Sequence, residues 1–113
     1  MPLTVYHLKT CDTCRKAIKA LGEKHALDLI DVRADGVAEV VISGWIDEAG
    51  YETVLNTRST TWRGLEDAEK ADMNAAKALA LLVEHPTLIK RPVITDGDKI
   101  TIGWKADAQD AWV

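Results

Sequence analysis

Apolar and polar positions divide the chain into short periodic stretches. Leu3 to Leu8 alternates and is partly β-branched or aromatic, which predicts a strand. From Cys14 the apolar positions fall at Cys14, Ala17, Ile18 and Leu21, the spacing of one helix face, and Gly22 closes that helix. Leu27 to Val32 predicts a second short strand, and Arg33-Ala34-Asp35-Gly36 a turn. Val37, Val40, Val41, Gly44 and Trp45 have helical spacing up to Gly50; Val40-Val41-Ile42 also reads as a strand, but the helix is the expectation. Tyr51 to Leu55 is a short helical or irregular piece, and Asn56 to Gly64 has no periodicity and reads as a loop. Leu65–Ala71 and Ala75–Val83 are rich in alanine and leucine and predict helices, the second bounded by Asp72 or Asn74 and by Pro86. Pro92–Thr95, Asp96–Asp98 and Lys99–Gly103 read as strand, turn and strand, a β-hairpin, and the last residues through Trp112 fit a terminal helix.

Strand, helix and strand within about thirty residues form a βαβ unit with parallel strands. The order is therefore βαβ, a helical block, then ββα. Two such units sharing one small sheet make an α/β, thioredoxin-like fold with a helical insertion between the halves. The boundaries read as one domain over residues 1–113, with halves at about 1–35 and 88–113 and an insertion at about 36–87. Repeats, low-complexity tracts and linkers are absent. Trp45 and Trp112 read as core or helix-packing residues.

At 113 residues, 47% hydrophobic and 28% charged, the composition is globular and argues against intrinsic disorder. No apolar run approaches the roughly 18–20 residues of a membrane span, and no secretory signal pattern opens the chain, so a cytoplasmic location is expected. A net charge of −4 excludes attraction to nucleic acid by bulk charge. That charge is uneven: residues 1–25 carry +3 and the remainder −7. Two cysteines are too few for a disulfide scaffold, and both lie in the basic segment.

Cys11-Asp12-Thr13-Cys14 follows a strand and opens a helix. Free N–H groups and the positive helix end favour an anion there, so a thiol is driven toward thiolate, the nucleophile of disulfide exchange. Cys11, at or before the first helical residue, is the candidate nucleophile. Cys14, one turn on, is close enough to pair with it as a redox partner, and its place on the apolar stripe equally suits a small core residue. Zinc would need two further ligands, and His7, His25 and His85 lack paired finger spacing, so no metal is expected. Lys90-Arg91-Pro92 precedes the hairpin; by itself the proline reads as a strand-edge residue. Arg58 and Arg63 lie in a polar loop and have the planar fork that suits an oxyanion, although surface charge alone accounts for them.

Three stretches carry a resemblance over essentially the whole length: Lys9-Thr10-Cys11-Asp12-Thr13-Cys14-Arg15-Lys16-Ala17, Leu55-Asn56-Thr57-Arg58-Ser59-Thr60-Thr61-Trp62-Arg63-Gly64-Leu65, and His85-Pro86-Thr87-Leu88-Ile89-Lys90-Arg91-Pro92-Val93. In order and spacing they resemble the ArsC/Spx family, the arsenate reductase-like branch of the thioredoxin superfamily. The middle stretch is most similar to YffB-type members, small cytosolic proteins regarded as glutathione-dependent thiol reductases. The resemblance implies Cys11 as nucleophile, Arg58 and Arg91 as the arginines that hold an oxyanion and lower the thiol pKa, and Pro92 as a cis-proline beside the thiol. It implies no bound cofactor, and glutathione, or a glutaredoxin-like donor, as reducing partner. Lys9, Thr13 and Arg15 would bind the glutathione carboxylates, and Asn56 would organise the loop that presents Arg58. Arsenate reductases carry a third arginine after the hairpin. Ile102-Gly103-Trp104-Lys105 offers only a lysine there, which speaks against arsenate itself as substrate. The Cys-x-x-Cys spacing is shared with Spx-type regulators, which bind the RNA polymerase α-subunit and use the dithiol as a redox switch. That is the alternative function.

Overall fold

Alternation along β1 (Leu3–His7) buries Leu3, Val5 and His7 and leaves Thr4 and Tyr6 half-buried on the opposite face. In the computed structural model, which describes residues 2–113, β1 is followed by α1 (Asp12–Gly22) and β2 (Leu27–Asp31). β1 and β2 pair in parallel from Leu3↔Leu27 to His7↔Asp31, as the βαβ reading requires. After the helical block, β3 (Val93–Thr95) pairs antiparallel with β1, and β4 (Ile100–Ile102) with β3, giving the sheet order β2-β1-β3-β4.

The hairpin turn is closed by its own side chains. Asp96 Oδ1 accepts from the N–H groups of Asp98 and Lys99, Thr95 Oγ1 accepts from Gly97 N–H, and Gly97 takes a positive φ of 101°.

Two compact units emerge from the chain: residues up to Asp35 together with Arg91–Val113, and residues Gly36–Lys90. In the first, Leu3, Val5, Leu21, Ile94 and Trp112 form a core, with Ile18, Leu27, Trp104 and Ala111 packed against it. Terminal helix α7 (Ala106–Trp112) is fastened through its last residues. Trp112 Nε1 donates to Thr101 Oγ1 at 2.7 Å, Lys99 Nζ lies 4.4 Å from the Trp112 ring centre, and His25 Nε2 donates to the Trp112 carbonyl.

The second unit holds α2 (Glu39–Ala49), α3 (Tyr51–Val54), α4 (Thr60–Arg63), α5 (Asp67–Lys70) and α6 (Ala75–Glu84), with α2 packed on α3 and α6. Its boundary lies at Lys90, three residues beyond the expected 87. Residues 88–90 are tied back by Asn56 N–H to the Leu88 carbonyl, Lys90 N–H to the Val54 carbonyl, and a Leu55↔Ile89 bridge. Helix α2 forms as expected, but its buried face is Ile42, Trp45 and Ile46; Val40, counted on the stripe, is exposed. The segment expected to be a loop contains α4, which Ser59 starts by accepting the Trp62 N–H. The expected helix at 65–71 contracts to the single turn of α5, started by a capping box between Glu66 and Glu69. Asn74, not Asp72, caps α6.

Trp112→Ala should destabilise the protein by about 3–5 kcal/mol in urea denaturation, because a nearly buried indole and its hydrogen bond are lost together. Val40→Ala should change stability by less than about 0.5 kcal/mol. Equal losses from the two variants would contradict the assigned core.

Candidate active site

The loop between β1 and α1 is shaped by backbone hydrogen bonds. Cys11 N–H donates to the Leu8 carbonyl at 3.0 Å, and the Cys11 carbonyl accepts from Arg15 N–H at 3.1 Å, so Cys11 is the residue capping α1. A carboxylate at the end of β2 holds the other side of the loop. Asp31 Oδ2 accepts Lys9 N–H at 3.2 Å, and Asp31 Oδ1 accepts Arg33 N–H and Ala34 N–H, both at 2.9 Å. The Ala34 N–H bond leads in holding the Asp31 pKa below the usual carboxylate value; burial opposes it, and the Lys9 and Arg33 donors reinforce it. The sequence reading missed Asp31 as anything but a strand residue. An aspartate at a strand end, before a turn, was the available signal.

Cys11 is partly exposed and Cys14 is fully buried, and both are free thiols. Burial pushes the Cys11 pKa up. The Cys14 N–H and thiol, followed by the charge and hydrogen bonding of Arg91, outweigh it, so the net shift is downward. Cys14 moves oppositely: burial, together with its neighbour Cys11, pushes it up to about 11 despite the loop hydrogen bond to Leu8. One thiol is thus shifted toward its thiolate and the other toward its protonated form. Arg91 precedes Pro92, the bond between them is cis, and the Pro92 carbonyl accepts Gly103 N–H at 2.9 Å. The buried cis-proline matches what the resemblance implied, not the plain strand-edge residue that the proline alone suggested.

Thr13 is exposed on the first turn of α1, and Lys9 is exposed on the loop. Arg15 holds local structure: its Nε donates to the Lys9 carbonyl at 2.9 Å and its Nη1 lies 3.3 Å from Asp12. Arg58 belongs to the second unit, where its N–H donates to Asn56 Oδ1 at 3.0 Å, so Asn56 organises that loop. Among the described residues no group of three His, Cys, Asp or Glu side chains is placed to hold a metal ion. No helix among them is long and apolar enough to cross a membrane.

Comparison with known proteins places this arrangement. The model of the ArsC family matches residues 6–112. An uncharacterized protein of Haemophilus influenzae is 40% identical over 104 residues, covering 90% of each chain. The global transcriptional regulator Spx of Bacillus subtilis is 26% identical over 112 residues, covering 93% of this chain and 82% of the regulator. The solved structure of a YffB protein superimposes with a TM-score of 0.91 at 41% identity over 97% of each chain. An arsenate reductase-related protein from Brucella melitensis gives 0.78 at 28% identity, covering 99% of this chain and 94% of that one. These similarities fix the thioredoxin-like fold of the chain.

Iodoacetamide should modify Cys11 with a pH midpoint below the ordinary thiol value and leave Cys14 protected until the pH nears about 11. Arg91→Gln should raise the Cys11 midpoint; an unmoved midpoint would assign the whole effect to Cys14. The two thiols also shape stability in opposite directions. Folded Cys11 gives up its proton earlier than in the unfolded chain, so its contribution is present above the ordinary thiol pKa and is lost as pH falls through the folded value. Folded Cys14 keeps its proton, so its contribution is full below the unfolded value and is lost as pH rises toward about 11. Denaturation measured from pH 9 to 11 should show a fall that Cys14→Ala reduces.

Proposed function

We propose that this chain, which belongs to the ArsC family, is a thiol oxidoreductase that uses glutathione as reductant. The observation that carries the reading is the unequal pair at the start of α1: a partly exposed, acidified Cys11 beside a buried, proton-retaining Cys14. The Cys11 thiolate attacks a sulfur of a disulfide R–S–S–R′, forms Cys11–S–S–R and expels R′S⁻. A glutathione thiolate then attacks the mixed disulfide, and the Cys11 thiolate leaves. Resolution by glutathione rather than by Cys14 is supported by the burial of Cys14, which pushes its pKa up and disfavours its thiolate. Arg91 stabilises the thiolate both as it attacks and as it leaves. Arg58 is assigned, by likeness to the family motif, to binding an anionic group of the substrate.

A sulfur electrophile suits the site better than arsenate, since the hairpin is followed by Lys105 where arsenate reductases have a third arginine. The protein is expected to work in the cytoplasm, with neither a metal nor a bound cofactor. A second reading is favoured by the two thiols one helical turn apart and by the likeness to Spx: a redox-sensing regulator that binds the RNA polymerase α-subunit.

Reduction of 2-hydroxyethyl disulfide by glutathione, catalysed by the purified protein, tests the enzyme. Cys11→Ser should remove the activity, and Arg58→Ala and Arg91→Ala should each lower it by about ten- to a hundredfold. Unchanged rates in these variants would exclude the enzyme reading. The regulator reading expects redox-dependent retention on immobilised RNA polymerase α-subunit, and no retention in either redox state would remove it.

A further inference from the structure

Leu8, Lys9, Thr10 and Cys11 form a tight turn, closed by the Cys11 N–H on the Leu8 carbonyl at 3.0 Å. Such a turn uses the N–H of its last residue and leaves that of its second residue without a partner inside the turn. Asp31 Oδ2 accepts this second N–H, from Lys9, at 3.2 Å. The Leu8 carbonyl and the Lys9 N–H belong to one planar peptide group. A single rigid plane therefore receives Cys11 on one edge and is held by Asp31 on the other.

Asp31 is itself anchored. It is buried, and its Oδ1 accepts the N–H groups of Arg33 and Ala34, both at 2.9 Å. Its own N–H donates to Asp35 Oδ2 at 3.0 Å, and its carbonyl accepts Asp35 N–H at 2.9 Å. Val32 N–H donates to the His7 carbonyl at 2.8 Å, which continues the β1–β2 ladder just past Asp31. From the side of α1, Arg15 Nε fixes the Lys9 carbonyl at 2.9 Å. Cys11 stands at the helix cap with φ −91° and ψ 116°. Those two angles aim its sulfur, and they are held by the bonds of its N–H to Leu8 and of its carbonyl to Arg15 N–H.

We propose that Asp31 is a positioning residue for the thiol chemistry: through the Leu8–Lys9 peptide group it holds Cys11 where the Cys14 N–H reaches its sulfur. The inference rests on the thiol-exchange reading of Cys11 and adds to it a residue that acts only through the backbone. Charge and positioning carry opposite signs here, which makes the role measurable. A carboxylate near a thiol disfavours the thiolate, so by charge alone its removal lowers the Cys11 pKa. Loss of the clamp weakens the donors that favour the thiolate, so it raises that pKa. The three N–H donors hold the Asp31 pKa below the usual carboxylate value, so Asp31 is an anion throughout the range in which thiols titrate.

The test is the pH midpoint of Cys11 alkylation by iodoacetamide, a neutral reagent, in Asp31→Asn. The amide keeps the shape of the carboxylate, but its one oxygen serves either Arg33 and Ala34 or Lys9, not both sides. The midpoint should rise by about 0.5–1 pH unit, the effect of weakening one hydrogen bond to a thiolate. The pH profile of 2-hydroxyethyl disulfide reduction should move up with it. Amide exchange should quicken at Lys9 and Cys11 while the β1–β3 ladder stays protected, which separates a loosened turn from unfolding. Asp28→Asn removes a carboxylate from an exposed position of the same strand and should leave the midpoint in place. Where Asp31→Asn does not fold, Lys9→Pro deletes the same N–H from its other end, at a turn position that favours proline. Its midpoint should lie above that of Lys9→Gln, which loses the charge alone. A midpoint that stays or falls in Asp31→Asn, an equal rise in Asp28→Asn, or equal midpoints in the two Lys9 variants overturns the positioning role and leaves the thiol reading intact. If wild-type Cys11 titrates at the ordinary thiol value, the thiol reading falls and the positioning role falls with it.

Discussion

The carboxylate of Asp31 is the point on which the site depends. It sits at the end of β2, beside β1 in the parallel ladder, and its two oxygens accept N–H groups from Lys9 on one side and from Arg33 and Ala34 on the other. A buried carboxylate left without donors would be costly, so the loop before α1 and the turn after β2 are held in the one arrangement that supplies them. With the loop fixed, Cys11 N–H meets the Leu8 carbonyl, Cys11 caps α1, and the first turn directs the Cys14 N–H at the Cys11 sulfur. The lowered pKa of the Cys11 thiol is therefore set in part by backbone geometry.

Asymmetry between the cysteines is a consequence of one helical turn. Cys11 lies outside the helix, where burial is incomplete and N–H donors and Arg91 favour the anion. Cys14 lies on the inward face with Ala17 and Leu21, where desolvation dominates and the proton stays. The same hydrogen bond between the two thiols lowers the Cys11 pKa and raises that of Cys14. In a dithiol regulator this pair would close only by giving two electrons to an oxidant such as a disulfide or a peroxide, whereas in a glutathione-coupled reductase the protonated Cys14 would compete less with the external thiol.

Where local signals and tertiary packing agree, the elements follow the pattern of the chain. β1, α1, β2, the Asp96–Asp98 hairpin and α7 all lie where alternation, helical spacing and turn residues put them. The differences arise where a short-range cap competes with a weak period. Ser59 and the Glu66–Glu69 capping box each start one helical turn in stretches whose hydrophobic pattern is too sparse to show it. In α2 the valines at 40 and 41 mimic a buried stripe, yet Ile42, Trp45 and Ile46 present the larger apolar surface and take the inward face.

Much of the chemistry was legible in order and spacing. A thiol at a strand-to-helix junction marks Cys11 as the candidate nucleophile by local residue type, whereas Arg58 and Arg91 take their assignment only from the family resemblance. What remained for the tertiary structure was everything that needs two distant segments at one place. The Cys11–Arg91 interaction joins positions eighty residues apart through the β1–β3 pairing. The Asp31 clamp joins β2 to the loop after β1. Residue type and spacing determined which side chain is the candidate nucleophile; long-range hydrogen bonds and burial, which no local pattern encodes, decided the direction in which its pKa moves.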